Sequence, residues 1–145
     1  MTAVKEQTTL TVRREIAAPP ETVFDAWLDA KSLEAWMRPG PTTRTAARVD
    51  PRVGGAFEVV MHTPGGPVVH RGAYVAIDRP RRLVFTWNSP YAGDHDSQVT
   101  VDFHARGGGT EVVLTHERLP HEESVRAHTG GWTDALRILA EHFAS

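Results

Sequence analysis

Residues 7–16, QTTLTVRREI, alternate Leu10, Val12 and Ile16 with polar neighbours. That period of two predicts a half-buried first strand. The period then changes. Val23, Phe24, Trp27 and Leu28 recur at helical spacing behind Pro19, Pro20 and Glu21, where proline suits a first helical turn and the acid suits the helix dipole. Leu33, Trp36 and Met37 mark one face of a second short helix. It stops before Pro39-Gly40, because a proline disfavours helix for the residue ahead of it.

From residue 42 to 118 the chain reads as strands divided by turns. The segments are TTRTAARV, AFEVVMH, VVHRGAYVAID, RLVFTWNS, DSQVTVDFHA and TEVVLTHER. Pro51, Thr63-Pro64-Gly65-Gly66, Arg79-Pro80, Tyr91-Ala92-Gly93 and Gly107-Gly108-Gly109 separate them, with the residue types that turns require. Connections this short make neighbours antiparallel, since a parallel pair needs a crossover of a dozen or more residues. Six strands in a meander, with the first, give about seven.

The last segment, HEESVRAHTGGWTDALRILAEHF, returns to a helical period. Val125, His128, Trp132, Leu136, Leu139 and Phe143 line one stripe, as in a core-facing amphipathic helix. Gly130 and Gly131 interrupt it, each at a cost of about 1 kcal/mol relative to alanine. The favoured explanation is a close approach of helix to sheet at that point, with Trp132 filling the space beside it. The alternative is that the glycines leave room for a ligand or let the helix move as a lid.

At 145 residues the chain has the length of one domain, here residues 1–145, with material for a real core. Hydrophobic residues at 40% and charged residues at 23% fit an ordinary globular protein. No apolar run suggests a membrane span, and the first residues lack a signal-peptide core, so a cytoplasmic location is expected. A net charge of −2 gives no reason to expect nucleic acid. Arg38, Arg44, Arg48 and Arg52 read as a solvated face. Without cysteine there are no disulfides and no thiolate chemistry.

Taken in order, Trp27, Trp36, Gly54-Gly55, Arg82-Leu83-Val84-Phe85-Thr86-Trp87, Gly109-Thr110, Leu114-Thr115-His116 and Gly131-Trp132 resemble the homologues of the activator of heat-shock protein 90 ATPase. Those proteins belong to the START-like, or SRPBCC, superfamily. The resemblance covers residues 8–144. It implies an α+β helix-grip fold: a curved antiparallel sheet of about seven strands, two short helices after the first, and a long C-terminal helix over the concave face. It also implies an apolar cavity between that helix and the sheet. The eukaryotic co-chaperone carries a further N-terminal domain, for which this chain has no room.

Strand periodicity nominates the residues facing such a cavity. Phe85 and Trp87 share a face on one strand, Val101 lies on the next, and Leu114 and His116 on the one after. Across from them the helix stripe offers His128, Trp132 and Leu136. Phe57, Met61 and Tyr74 complete the ligand-binding set, although a bulge in the curved hairpin can turn residues to the other face. Core packing is the plainer reading of each aromatic. His116 and His128 are the best polar candidates, expected to meet across the pocket, and the weak candidates for acid–base catalysis.

Other chemistry finds little footing. HEESV lacks the second histidine of a zinc-protease HExxH, since Val125 stands in its place. His121 and His128 share a helix face but have no placed third ligand, and Asp94-His95-Asp96 reads as a polar loop. No GxSxG elbow, P-loop or GxGxxG occurs, so neither cofactor nor metal is expected. The leading function is binding of a small hydrophobic or amphipathic molecule. A cyclase, dehydratase or hydrolase using a cavity histidine is the alternative, with Tyr74 or Glu117 as partner; a chaperone-associated module is the third. An edge strand supports a homodimer, whereas capping by the short helices leaves a monomer.

Overall fold

The computed structural model describes residues 8–93 and 95–144. Strand β1, Leu10–Ile16, is followed by two short helices, α1, Pro20–Asp25, and α2, Ala30–Trp36. Pro20 occupies the first turn of α1, as the sequence leads one to expect. For α2 the start signal is Asp29, whose carboxylate accepts the backbone N–H of Ser32 at 3.0 Å. Asp29→Ala should therefore lower stability by about 1 kcal/mol, readable as a shift in the urea midpoint. An unchanged midpoint would mean that the cap contributes nothing.

The meander then runs through β2, Arg44–Val49; β3, Ala56–Thr63; β4, Gly66–Asp78; β5, Arg82–Trp87; β6, Ser97–Arg106; and β7, Gly109–Glu117. A 3-10 turn, Pro90–Ala92, lies between β5 and β6, and α3, Glu122–His142, follows β7. All seven strands form one antiparallel sheet in the order β1-β7-β6-β5-β4-β3-β2. This is the curved helix-grip architecture expected from the sequence.

Alternation along the central strands builds the core. Val99, Val101 and Phe103 of β6 face inward with Leu83 and Phe85 of β5 and Val112 and Leu114 of β7, all buried. Phe24 of α1, Trp36 of α2 and Trp27 pack onto them, with Phe24 and Phe103 ring centroids 5.0 Å apart. Trp27 and Leu28, expected on the first helix, lie in the turn after it, since α1 ends at Asp25. The anticipated irregularity in the curved hairpin falls within β4. Pairing with β5 shifts between Tyr74 and Ala76, which turns Val75 out to solvent while Tyr74 stays inside.

Both sheet edges are engaged by helices. α3 packs along β1, and α2 packs on β2, where the Glu34 carboxylate accepts the backbone N–H of Ala47 at 2.9 Å. Thr45 Oγ1 donates to the Met37 carbonyl at 2.8 Å. These two bonds hold the end of α2, and the loop after it, against the open side of the sheet.

Candidate functional site: a cavity beneath the long helix

A cavity of about 530 Å³ opens where the end of α2, the β3–β4 hairpin and α3 converge. That volume lies in the range of small-molecule sites. One wall is the segment after α2, with Met37, Pro39, Gly40, Pro41 and Thr42. Thr42 Oγ1 donates to the Pro39 carbonyl at 2.7 Å, and the Gly40 N–H donates to Asp134 on α3 at 2.6 Å. The Gly40 bond ties the loop to the helix across the mouth. It also holds the Asp134 carboxyl below its ordinary pKa, with Arg137 assisting.

The opposite wall belongs to the hairpin, through Met61, Thr63, Val68 and His70. Tyr91 of the 3-10 turn stands half exposed at the rim. Its carbonyl accepts the Ser124 hydroxyl near the start of α3. The third wall is α3 itself, from Arg126 to Ala135.

Gly130 and Gly131 lie on this wall, and here the expectation of close packing is corrected. A Cβ built at either position meets no atom within 4 Å. The helix runs unbroken through both residues, so they neither kink it nor admit the sheet; what they leave is cavity. Alanine at either position should raise stability by up to about 1 kcal/mol, because helix propensity improves and nothing clashes. Thermal unfolding of Gly130→Ala and Gly131→Ala checks this, and destabilisation would contradict the open space.

Beneath the cavity the histidines form a connected group. Trp132 Nε1–H donates to His116 Nδ1 at 3.0 Å. An indole nitrogen can only donate, so Nδ1 is the accepting nitrogen and His116 carries its proton on Nε2. Nε2 meets Ser97 Oγ at 2.7 Å, and the serine hydroxyl donates onward to the Trp87 carbonyl at 2.6 Å. The chain of bonds thus has one consistent direction. Burial, aided by nearby His128, pushes the His116 pKa down to about 3.

His128 meets His116 edge to face, with ring centroids 4.7 Å apart. Its Nδ1 lies 2.8 Å from the Ser124 carbonyl, one turn back along α3, so Nδ1 carries the proton. Burial lowers its pKa despite that acceptor. His70 stacks at 4.8 Å on Trp87 and places Nδ1 3.2 Å from the Val59 carbonyl. Its pKa falls to about 4, chiefly through burial.

Of the residues nominated from the sequence, Met61, His128 and Trp132 line the open cavity. Phe57, Tyr74, Phe85 and Trp87 surround a separate void of only about 20 Å³ deeper inside. Val101, Leu114, His116 and Leu136 border neither space and are packed in the core. Periodicity identifies which face a residue is on, but not where along that face the packing stops. His121, weighed above as a metal ligand, instead caps α3 by accepting the Ser124 N–H at 3.2 Å. In the polar loop His95 bonds the Arg118 carbonyl, whereas Asp94 lies outside the described residues.

Met37, the 39–42 loop, Val68, His70, Arg126 and Asp134 also line the cavity, beyond the residues nominated from the sequence. His70 was within reach, since Val68, His70 and Tyr74 fall on one face of β4. The loop carries no periodic signal at all.

Residues 17–144 match the family described as Activator of Hsp90 ATPase homolog 1-like protein. The chain belongs to this family. Among curated proteins none matches it. A protein from Chromobacterium violaceum superposes with a TM-score of 0.82 at 25% identity, over 95% of this chain and 98% of its own. An HSP90 activator from Plasmodium falciparum gives 0.72 at 27% identity, over 90% and 92%. CalU16 from Micromonospora echinospora gives 0.69 at 26%, over 94% and 76%. Membership in the Hsp90 ATPase activator homologue family brings a helix-grip fold that generally binds ligands. No helix among the described residues is long and apolar enough to cross a membrane.

Proposed function

We propose that the protein binds a small hydrophobic or amphipathic molecule in the cavity between α3 and the sheet, in the cytoplasm. The observation that carries this reading is the open space beside Gly130 and Gly131. Two adjacent glycines weaken a helix by about 2 kcal/mol in total, and neither relieves a contact. Their benefit is volume. The walls around that volume are mostly apolar, from Met37, Met61, Val68 and Trp132. Arg126 at the rim offers a cation to the charged end of an amphipathic ligand.

The test is to fill the space. Gly131→Leu should reduce the affinity for anilinonaphthalene sulfonate at least ~10-fold, the loss of roughly 1.4 kcal/mol, while the thermal midpoint holds or rises. Equal binding by the variant would remove the cavity from consideration.

Likeness to the Plasmodium falciparum HSP90 activator supports a second reading, in which the protein associates with a chaperone. Measurable, saturable binding to purified Hsp90 is its expectation, and no association at micromolar concentrations would dispose of it. Acid–base catalysis draws less support. Both ring nitrogens of His116 are committed to bonds, which leaves His128 Nε2, unbonded among the described residues, as the available group. Turnover of a bound compound should then fall at least ~100-fold in His128→Ala.

A further inference from the structure

We infer that the void of about 20 Å³ behind Met37 is an inner acceptor subsite. There the molecule held in the outer cavity presents a neutral carbonyl or ether oxygen to the indole N–H groups of Trp27 and Trp87. This rests on the cavity-binding reading above and adds the chemistry of the ligand's buried end.

Four tryptophans occur in the chain, and all are buried. Two have satisfied indoles. Trp36 Nε1 donates to the Ala26 carbonyl at 3.1 Å, and Trp132 Nε1 to His116 at 3.0 Å. The Nε1 atoms of Trp27 and Trp87 are buried with no partner among the described residues. Native structures rarely leave such a donor without an acceptor, and when they do a missing water or ligand is among the first explanations.

Both orphan tryptophans border the same void. Its volume accommodates one oxygen-sized group, and a carbonyl oxygen has two lone pairs for two donors. Met37 borders the void on one side and the outer cavity on the other. A methionine is a suitable partition, because its unbranched chain moves among rotamers more readily than a branched one. A ligand lying along α3 reaches the indoles once that side chain gives way.

The oxygen is neutral because the void offers no counter-charge. Among the described residues its other borders are Leu33, Phe57, Val59, Phe85 and Tyr74; burial pushes the Tyr74 hydroxyl up to about 12, so it stays protonated. A carboxylate there would be buried unpaired, which is strongly unfavourable. Any anionic group on the ligand stays at the mouth, near Arg126. The ligand is therefore oriented, with its polar but uncharged end inward.

The experiment uses two probes on the intact protein: the fluorescent ketone propionyl-dimethylaminonaphthalene, and its propyl analogue, in which a methylene replaces the carbonyl. Proton–nitrogen correlation spectra resolve the indole N–H signals, assigned with tryptophan-to-phenylalanine variants. With the ketone, the Trp27 and Trp87 signals should move downfield, whereas the propyl analogue leaves them in place. Trp36 serves as a control that moves with neither, and Trp132, on the outer cavity wall, moves with both. Trp27→Phe and Trp87→Phe should each weaken the ketone about 5-fold, one net hydrogen bond, and leave the analogue within about twofold. Equal affinity and matching shifts for the two probes would overturn the subsite and leave a bound water as the occupant. If neither probe binds, the cavity reading itself fails.

Discussion

Lowering the pH from 7 to 5 should remove about 4 kcal/mol of stability, through His70 and His116. Their pKa values fall to about 4 and about 3 in the folded protein, against an ordinary value near 6.5. The native state thus favours the neutral rings. Stability from this source is complete above the unfolded pKa and is lost as the pH falls below it toward the folded values. Across that window the unfolded chain takes up protons that the folded protein refuses, and each histidine accounts for about 1.4 kcal/mol per pH unit. The loss is a large share of a typical total of 5–15 kcal/mol.

Urea midpoints at intervals between pH 7 and 5 provide the measurement. His128, also lowered by burial, adds to the loss in the same direction, whereas the carboxyls titrate below that window. The depressed carboxyls of Asp25 and Asp134 contribute stability above the unfolded carboxyl pKa, near 4, and lose it only as the pH falls from there through their lower folded values. His116→Gln should be less stable at pH 7 but show a shallower acid slope. A flat profile in the natural protein would mean that water or local opening relieves the histidines at little expense.

The second large effect is expected at Trp132. Its ring lies 5.1 Å from Trp87 and 6.1 Å from Trp27, between centroids, and it is buried. Trp132→Ala should destabilise the protein by about 4 kcal/mol, from lost burial and the cavity left behind. Part of that loss is polar. Removing the indole leaves His116 Nδ1 without its donor, and an unsatisfied buried acceptor adds about 1–3 kcal/mol.

Trp132→Phe isolates the polar part, keeping most of the ring volume. It should also free Nδ1 to accept a proton, so the acid slope becomes shallower as well. Chemical denaturation of both variants at pH 7 decides the matter. A loss below about 1 kcal/mol in Trp132→Ala would show that the cavity walls collapse to refill the space.

Most of the fold is visible in the sequence because its signals are local. Alternation at Val99, Val101 and Phe103 specifies an inward strand face, and the stripe from Val125 to Leu139 specifies the inward side of α3. The start of α2 was legible only through its apolar face, since Asp29 acts through a single capping bond. The candidate site depends on relations that no window of sequence contains. Gly40 reaches Asp134 across 94 positions, and whether Gly130 packs or leaves space depends on how far away the hairpin stands. His116 was legible as an inward polar residue. That both its nitrogens are occupied by Ser97 and Trp132 requires three separate elements to be in place.

The pairing of β1 with β7 sets an order of events during synthesis. Leu10 lies opposite His116, so the first strand waits for nearly the whole chain before its partner exists. Such distant pairing slows folding, because a long loop must close before any contact repays it. α3, which follows β7 in the chain, supplies the third wall of the cavity later still. Before α3 is made, the cavity lacks the wall that runs from Arg126 to Ala135. On the proposed reading, a ligand is captured only after the long helix has emerged and docked.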